Sequence, residues 1–156
     1  MKKIPNTLIQ QLEDMKQALY ITSYALMQNE NDALEMVSQT IFIVLKKYKQ
    51  LKNPQYLKTW TTRILINECY KELKKQKRMN IQEDIEISVE DISHLPLKEA
   101  ISTLPAELRI LIELKYFQDY TFKEISYMLD KPITTISSQL KKALHLLKIE
   151  LEVHDE

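Results

Sequence analysis

The chain has 156 residues, with 22 Lys and Arg against 22 Asp and Glu, one cysteine and no glycine. Average usage would supply about 7% glycine; its absence excludes the glycine-rich loops on which phosphate-cradling nucleotide chemistry is usually built, and the Asn-Gly and Asp-Gly turns of tight β-hairpins. The lone Cys69 rules out a disulfide framework and a cysteine-based zinc site. With Leu, Ile, Lys and Glu dominating the rest, the expected fold class is all-α.

A first helix is predicted from about Thr7 to Met27, with Leu8, Leu12, Met15, Leu19, Ile21 and Leu26 among its apolar positions. Two lysines at the N-terminus are followed by no apolar segment, so no signal peptide is expected. The longest aliphatic and aromatic run, Ile41 to Leu45, is far short of the roughly 20 residues of a membrane span. These features predict a soluble, cytoplasmic protein with no membrane insertion of its own. Gln28-Asn29-Glu30-Asn31 breaks the helix, and Asn29 or Asn31 can cap the next. In that second helix Ala33, Val37, Ile41, Val44, Leu45 and Tyr48 form one stripe. Its outer face begins acidic (Asp32, Glu35) and ends basic (Lys46, Lys47, Lys49), the order the helix dipole favours.

Asn53-Pro54 opens a third helix that continues to about Lys77. Here the pattern is inconsistent. Leu57, Trp60 and Ile64 share one face, whereas Leu65, Ile66, Cys69, Tyr70 and Leu73 lie mostly on the other. Extending the Trp60–Ile64 face reaches Asn67, Lys71, Lys74 and Arg78. A core helix keeps its stripe, so the second half of this face is expected to do something besides packing. Cys69 sits on an apolar pattern and reads as a small core residue.

Zero net charge conceals a partition. Residues 1–80 hold 14 Lys and Arg against 7 Asp and Glu, residues 81–95 hold five acids and no Lys or Arg, and residues 96–156 hold 8 basic against 10 acidic residues. The basic first half points to a polyanionic partner. Met79 to Leu95, MNIQEDIEISVEDISHL, reads as an acidic linker. From Leu97, Ile101 and Leu104, then Leu108, Leu111, Ile112 and Leu114 behind Pro105, give two further helices. His94, His145 and His154 have no metal-ligand spacing, so neither a metal nor another cofactor is expected.

The last third reads as a helix-turn-helix. Thr121 and Glu124 form a T-x-x-E capping box before a short helix with Phe122, Ile125, Met128 and Leu129. Asp130-Lys131-Pro132 interrupts it, and Asp130, at the turn position where such motifs often use glycine, can adopt a left-handed conformation at some cost. A second helix then carries Ile136, Leu140, Ala143, Leu144, Leu147 and Leu151 on one side. Thr135, Ser138, Gln139 and Lys142 fall on the other, the arrangement by which such motifs present polar side chains to the major groove.

A three-helix basic domain, an acidic linker and a small helical domain ending in a helix-turn-helix together resemble the extracytoplasmic-function family of bacterial RNA polymerase sigma factors. The matching segments are NENDALEMVSQTIFIVLKKY at 29–48, YLKTWTTRILINECYKELKKQKR at 56–78 and STLPAELRILIELKYFQDYTFKEISYMLDKPITTISSQLKKAL at 102–144. The resemblance implies three parts: region 2 over 1–78, the linker over 79–95 and region 4 over 96–156. It implies that Asp32, Glu35 and Gln39 dock on the polymerase core. It further implies that Arg63, Asn67, Lys71, Lys74 and Arg78 engage the minus-ten element of promoter DNA. Thr134, Thr135, Ser137, Ser138, Gln139, Lys141 and Lys142 would then face the minus-thirty-five element. The loop from Lys49 to Tyr56 is the nearest candidate to hold an unpaired promoter base. Thr61 and Thr62 stand where the family is often bulkier, and Ser137, Ser138 and Gln139 where it often carries a basic residue. An anti-sigma factor is a further implied partner.

Three rival classes differ in what they need. A stand-alone helix-turn-helix regulator of duplex operators should dimerise and has no use for the Asp32–Lys46 docking pattern. A protein-binding adaptor would leave the charged faces merely solvated. An enzyme would need a converging acid–base or nucleophile set, and no catalytic residues are discernible.

Overall fold

The computed structural model describes residues 3–79 and 96–148. The acidic linker beyond Met79, His94, and the C-terminal segment with Leu151 and His154 lie outside them. The described chain forms α1 (Asn6–Met27), α2 (Glu30–Lys47), α3 (Leu57–Met79), α4 (Leu97–Thr103), α5 (Ala106–Ile112), α6 (Phe122–Leu129) and α7 (Ile133–Leu146). Two 3-10 turns, Tyr48–Gln50 and Pro54–Tyr56, join α2 to α3, and a π-helical turn, Glu113–Phe117, extends α5. All regular elements among the described residues are helical.

The local signals act as their chemistry dictates. Asn29, not Asn31, caps α2: its side chain accepts from the Asp32 amide at 2.9 Å. Asn53 caps the turn that Pro54 begins. Without glycine, the chain makes its left-handed turns with Gln28, Asp119, Asp130 and Lys148, at φ of 52°, 58°, 54° and 55°. A side chain in that region crowds its own carbonyl by about 1–2 kcal/mol. Asp130→Gly should therefore raise stability, by about 0.5–1 kcal/mol once glycine's greater freedom in the unfolded chain is deducted. Denaturant titration of the two proteins measures this gain, and a loss would contradict it.

α1, α2 and α3 pack on one another as a three-helix group, and α5, α6, α7 and the π-helical turn form a second group that α4 joins through α5. These groups are not separate. α1 packs on α5 and α3 on α6, and the buried apolar residues form one continuous cluster from Leu8 to Leu146.

Two expectations need correction. Ile21 is 42% exposed; α1 instead turns Thr22 and Ser23 inward, where Thr22 Oγ1 donates to the Ala18 carbonyl at 2.9 Å and Ser23 Oγ to the Ala33 carbonyl at 3.1 Å. In α3 the core stripe is Leu57, Thr61, Thr62, Leu65, Ile66 and Cys69, with Trp60 and Ile64 only half-buried at its margin. Thr61 and Thr62 therefore serve the interior and are not stand-ins for bulk on a DNA face. The interruption of the Trp60–Ile64 face is a change of register, since the true stripe runs beside it without a break. Cys69 is fully buried beside Ser23, and desolvation pushes its thiol up to about 11.

Candidate nucleic-acid interface

The helix-turn-helix comprises α6 and α7. Thr121 Oγ1 accepts from the Glu124 amide at 3.1 Å while the Glu124 carboxylate accepts from the Thr121 amide at 3.0 Å, so both halves of the capping box are made. Asp130 ends α6 in the left-handed region, and Ser126 Oγ donates to the Lys131 carbonyl, pinning the turn. Pro132 precedes α7 and leaves its first turn with free amides.

α7 buries Ile136, Leu140, Ala143, Leu144 and also Leu146. Thr134, Ser138, Lys141 and Lys142 are exposed; Thr135 and Gln139 are half-buried. Ser138 Oγ donates to the Thr135 carbonyl at 3.1 Å, so its hydrogen is already engaged. Gln139 Oε1 has no partner. Ser137 departs from the expectation: it is 7% exposed and sits on the inner side of α7 beside Ile136, so it presents nothing to a groove.

On α3, Asn67, Lys71, Lys74 and Arg78 are all exposed, and their three- and four-residue spacing places them on one face. Lys71 pairs with Glu68 at 3.3 Å but stays 73% exposed. Arg63 is different. Its Nη1 donates to the Tyr127 carbonyl of α6 at 2.8 Å, and its guanidinium lies 4.8 Å from the Tyr127 ring. Of the five residues expected to face the minus-ten element, four are free of the second helical group and one is held by it.

On α2, Glu35 and Gln39 are exposed and hydrogen-bonded to each other at 3.4 Å. Asp32 is half-buried, and its Oδ2 accepts from Gln76 Nε2 of α3 at 3.2 Å. The structure adds two residues to this face. Leu34 and Phe42 are 55% and 60% exposed, and Lys46 Nζ lies 4.8 Å from the Phe42 ring. Both fall outside the Ala33–Val37–Val44 stripe, which is the sequence signal that marks them as apolar residues without an internal partner.

Two family models match the chain: Sigma-70 region 2 over residues 12–79 and Sigma-70, region 4 over residues 94–147. The chain belongs to the sigma-70 family. Within it, the pairing of region 2 with region 4 and the similarity below place it among the extracytoplasmic-function sigma factors. It is 29% identical to RNA polymerase sigma factor SigV of Bacillus subtilis (strain 168), over 99% of each chain. Its fold is similar to that of the sigma factor RpoE from Bartonella quintana, solved in complex with the anti-sigma factor NepR. That match has a TM-score of 0.76 at 22% identity and covers 92% of this chain and 96% of that one. The protein is thus an alternative sigma factor, acting with RNA polymerase and promoter DNA in transcription initiation. Among the described residues no helix is long and apolar enough to cross a membrane.

Proposed function

We propose that the three exposed faces divide the work of initiation. Asp32, Glu35 and Gln39 of α2, joined by Leu34 and Phe42, dock on the polymerase core. Asn67, Lys71, Lys74 and Arg78 of α3, with Arg63, hold the minus-ten element. Thr134, Thr135, Ser138, Gln139, Lys141 and Lys142 of α7 lie in the groove of the minus-thirty-five element. The observation that carries this reading is the exposed basic face of α3, which breaks no core stripe and has no role in packing. Lysine and arginine there neutralise phosphates and position the strand, while Asn67 can bond a base edge. On α7 no arginine is available to read guanine bidentately; Gln139, whose Oε1 is buried without a partner, can pair with adenine once its amide turns outward, so an A/T-tolerant upstream element follows. The functional residues act by binding, without an active site, and the protein works in the cytoplasm. By analogy with the NepR-bound relative, an anti-sigma factor holds it inactive.

Adding the purified chain to sigma-free polymerase core and mapping transcript starts tests the reading as a whole. Starts downstream of a shared pair of elements are expected; starts identical to those of core alone would refute it. For the basic face, each phosphate contact contributes about 0.9 to the slope of log affinity against log salt on duplex DNA. Lys71→Ala with Lys74→Ala should therefore flatten that slope by about 1.8 and weaken promoter binding with little dependence on sequence. An unchanged slope would remove both lysines from the interface.

A further inference from the structure

The last turns of α3 carry most of its basic face and little of its core. The residues that α3 buries are Leu57, Thr61, Thr62, Leu65, Ile66 and Cys69, and all of them precede Tyr70. From Tyr70 to Met79 the helix runs on for about 15 Å. Along it Tyr70, Glu72, Leu73 and Gln76 are half-buried, while Lys71, Lys74, Lys75 and Arg78 are exposed. Gln76 ties this stretch to α2. Its Nε2 donates to Asp32 Oδ2 at 3.2 Å and to Glu72 Oε1 at 3.3 Å, so one amide nitrogen serves two carboxylates. We propose that Gln76 is a positioning residue that couples two faces of the protein: polymerase docking on Asp32 steadies the end of α3 through this bond and sets Lys74 and Arg78 for promoter DNA. The proposal rests on the reading that α2 docks on polymerase and α3 holds the minus-ten element.

Asp32 is placed to serve both faces. It lies in the first turn of α2, where the helix dipole favours a negative group. Its amide donates to the Asn29 side chain at 2.9 Å, so its backbone is fixed and its side chain is the movable part. A carboxylate offers two oxygens and about four acceptor positions. Gln76 takes one of them, and the half-buried side chain keeps surface open to a cation of polymerase. A cation seated there holds the carboxylate in one orientation. The bond to Gln76 then forms with less loss of side-chain freedom, and the end of α3 is held more firmly.

The residue type at position 76 fits this role. A glutamine amide satisfies both acids without cancelling their charge, so Asp32 remains an acid that polymerase can use. A lysine in its place would bond Asp32 more strongly and compete with the polymerase cation. A leucine would still pack beside α2 but would give the carboxylate no donor. Lys74 and Arg78 are each two residues from Gln76, or about 200° around the helix. Gln76 therefore grips α3 from behind and leaves its basic face open.

Hydrogen exchange of the full chain, free and bound to polymerase core, reads the coupling without DNA. Core should slow the exchange of amides across Tyr70–Met79 about tenfold. Gln76→Leu should keep its helical content and bind core within about twofold of wild type, yet lose that slowing. Its holoenzyme should bind minus-ten duplex about tenfold more weakly, with a flatter salt dependence. Gln76→Lys should keep the slowed exchange but weaken core binding about fivefold, because its ammonium competes for Asp32. Wild-type amides that exchange equally fast with and without core overturn the proposal, and so does slowing that survives in Gln76→Leu. Two other outcomes strike at the reading beneath. Core affinity unmoved by Gln76→Lys takes Asp32 off the docking face, and minus-ten affinity unmoved by Lys74→Ala with Arg78→Ala takes the end of α3 off the DNA. Either one removes the coupling as well.

Discussion

Phe122→Ala should lower the stability of the protein by about 3–5 kcal/mol, the usual loss for a fully buried phenylalanine. Phe122 is the first residue of α6, is 0% exposed, and has Lys115 Nζ 4.7 Å from its ring. It follows directly on the Thr121–Glu124 capping box, so the same short segment fixes both where α6 begins and how it seats on the core. A typical domain has about 5–15 kcal/mol in total, and this one substitution takes a large share of it. Urea denaturation followed by far-UV circular dichroism reads the effect. Phe122→Leu, which keeps most of the volume, should lose clearly less. Equal losses for the two variants would mean that the volume leucine restores contributes nothing, contrary to a loss driven by burial.

Local chemistry was the legible part of this chain. The capping box and the left-handed Asp130 depend on residues within one or two turns of each other and are found where their pattern predicts. Asn53-Pro54, by contrast, opens a 3-10 turn ahead of α3. The α2 stripe buries Ala33, Val37 and Val44 with Met36 and Thr40, and leaves Ile41, Leu45 and Tyr48 half-buried. The α3 stripe is hard to read in the sequence because two threonines, Thr61 and Thr62, complete it. In a helix a threonine hydroxyl can satisfy itself on the carbonyl four residues back, as Thr62 does on Lys58 at 2.7 Å, and the rest of the side chain then packs like valine. The same local bond hides Thr22 and Thr40. Ser137 was misplaced for a related reason: a small side chain fits on either side of a packed helix, and only the neighbour decides which.

The junction between the two helical groups lies beyond any periodicity argument. Arg109 looks like an ordinary charged residue on α5, and nothing near it in sequence supplies the carbonyls of Ala25 and Leu26 to which it donates, more than 80 positions away. Likewise the exposed polar face of α3 is legible as a run of Asn67, Lys71, Lys74 and Arg78, but the capture of Arg63 by Tyr127 depends on how two helical groups meet. Sequence spacing reports what one helix offers; it does not report which offers are already taken.

The proposed docking face of α2 carries the other large expected effect. Phe42→Asp combined with Glu35→Lys should weaken binding to polymerase core by about 2–4 kcal/mol, or roughly 30- to 700-fold in Kd, the range of a central interface anchor. Phe42 is 60% exposed, with Lys46 Nζ 4.8 Å from its ring, so its removal leaves no buried cavity. Glu35 is exposed and bonded only to Gln39, so its reversal breaks nothing inside. Helical content and melting temperature should therefore stay near wild type while core binding fails, which separates a lost contact from a lost fold. The two substitutions act differently and can be told apart by salt. Reversing Glu35 removes an attraction that screening already weakens above about 0.15 M salt, so its share should shrink as salt rises. The Phe42 share is burial of apolar area and should persist. If Phe42→Asp alone leaves core affinity unchanged at both low and high salt, the exposed ring is surface only, and docking must rest on the charges of Asp32 and Glu35 and the hydrogen bonds of Gln39.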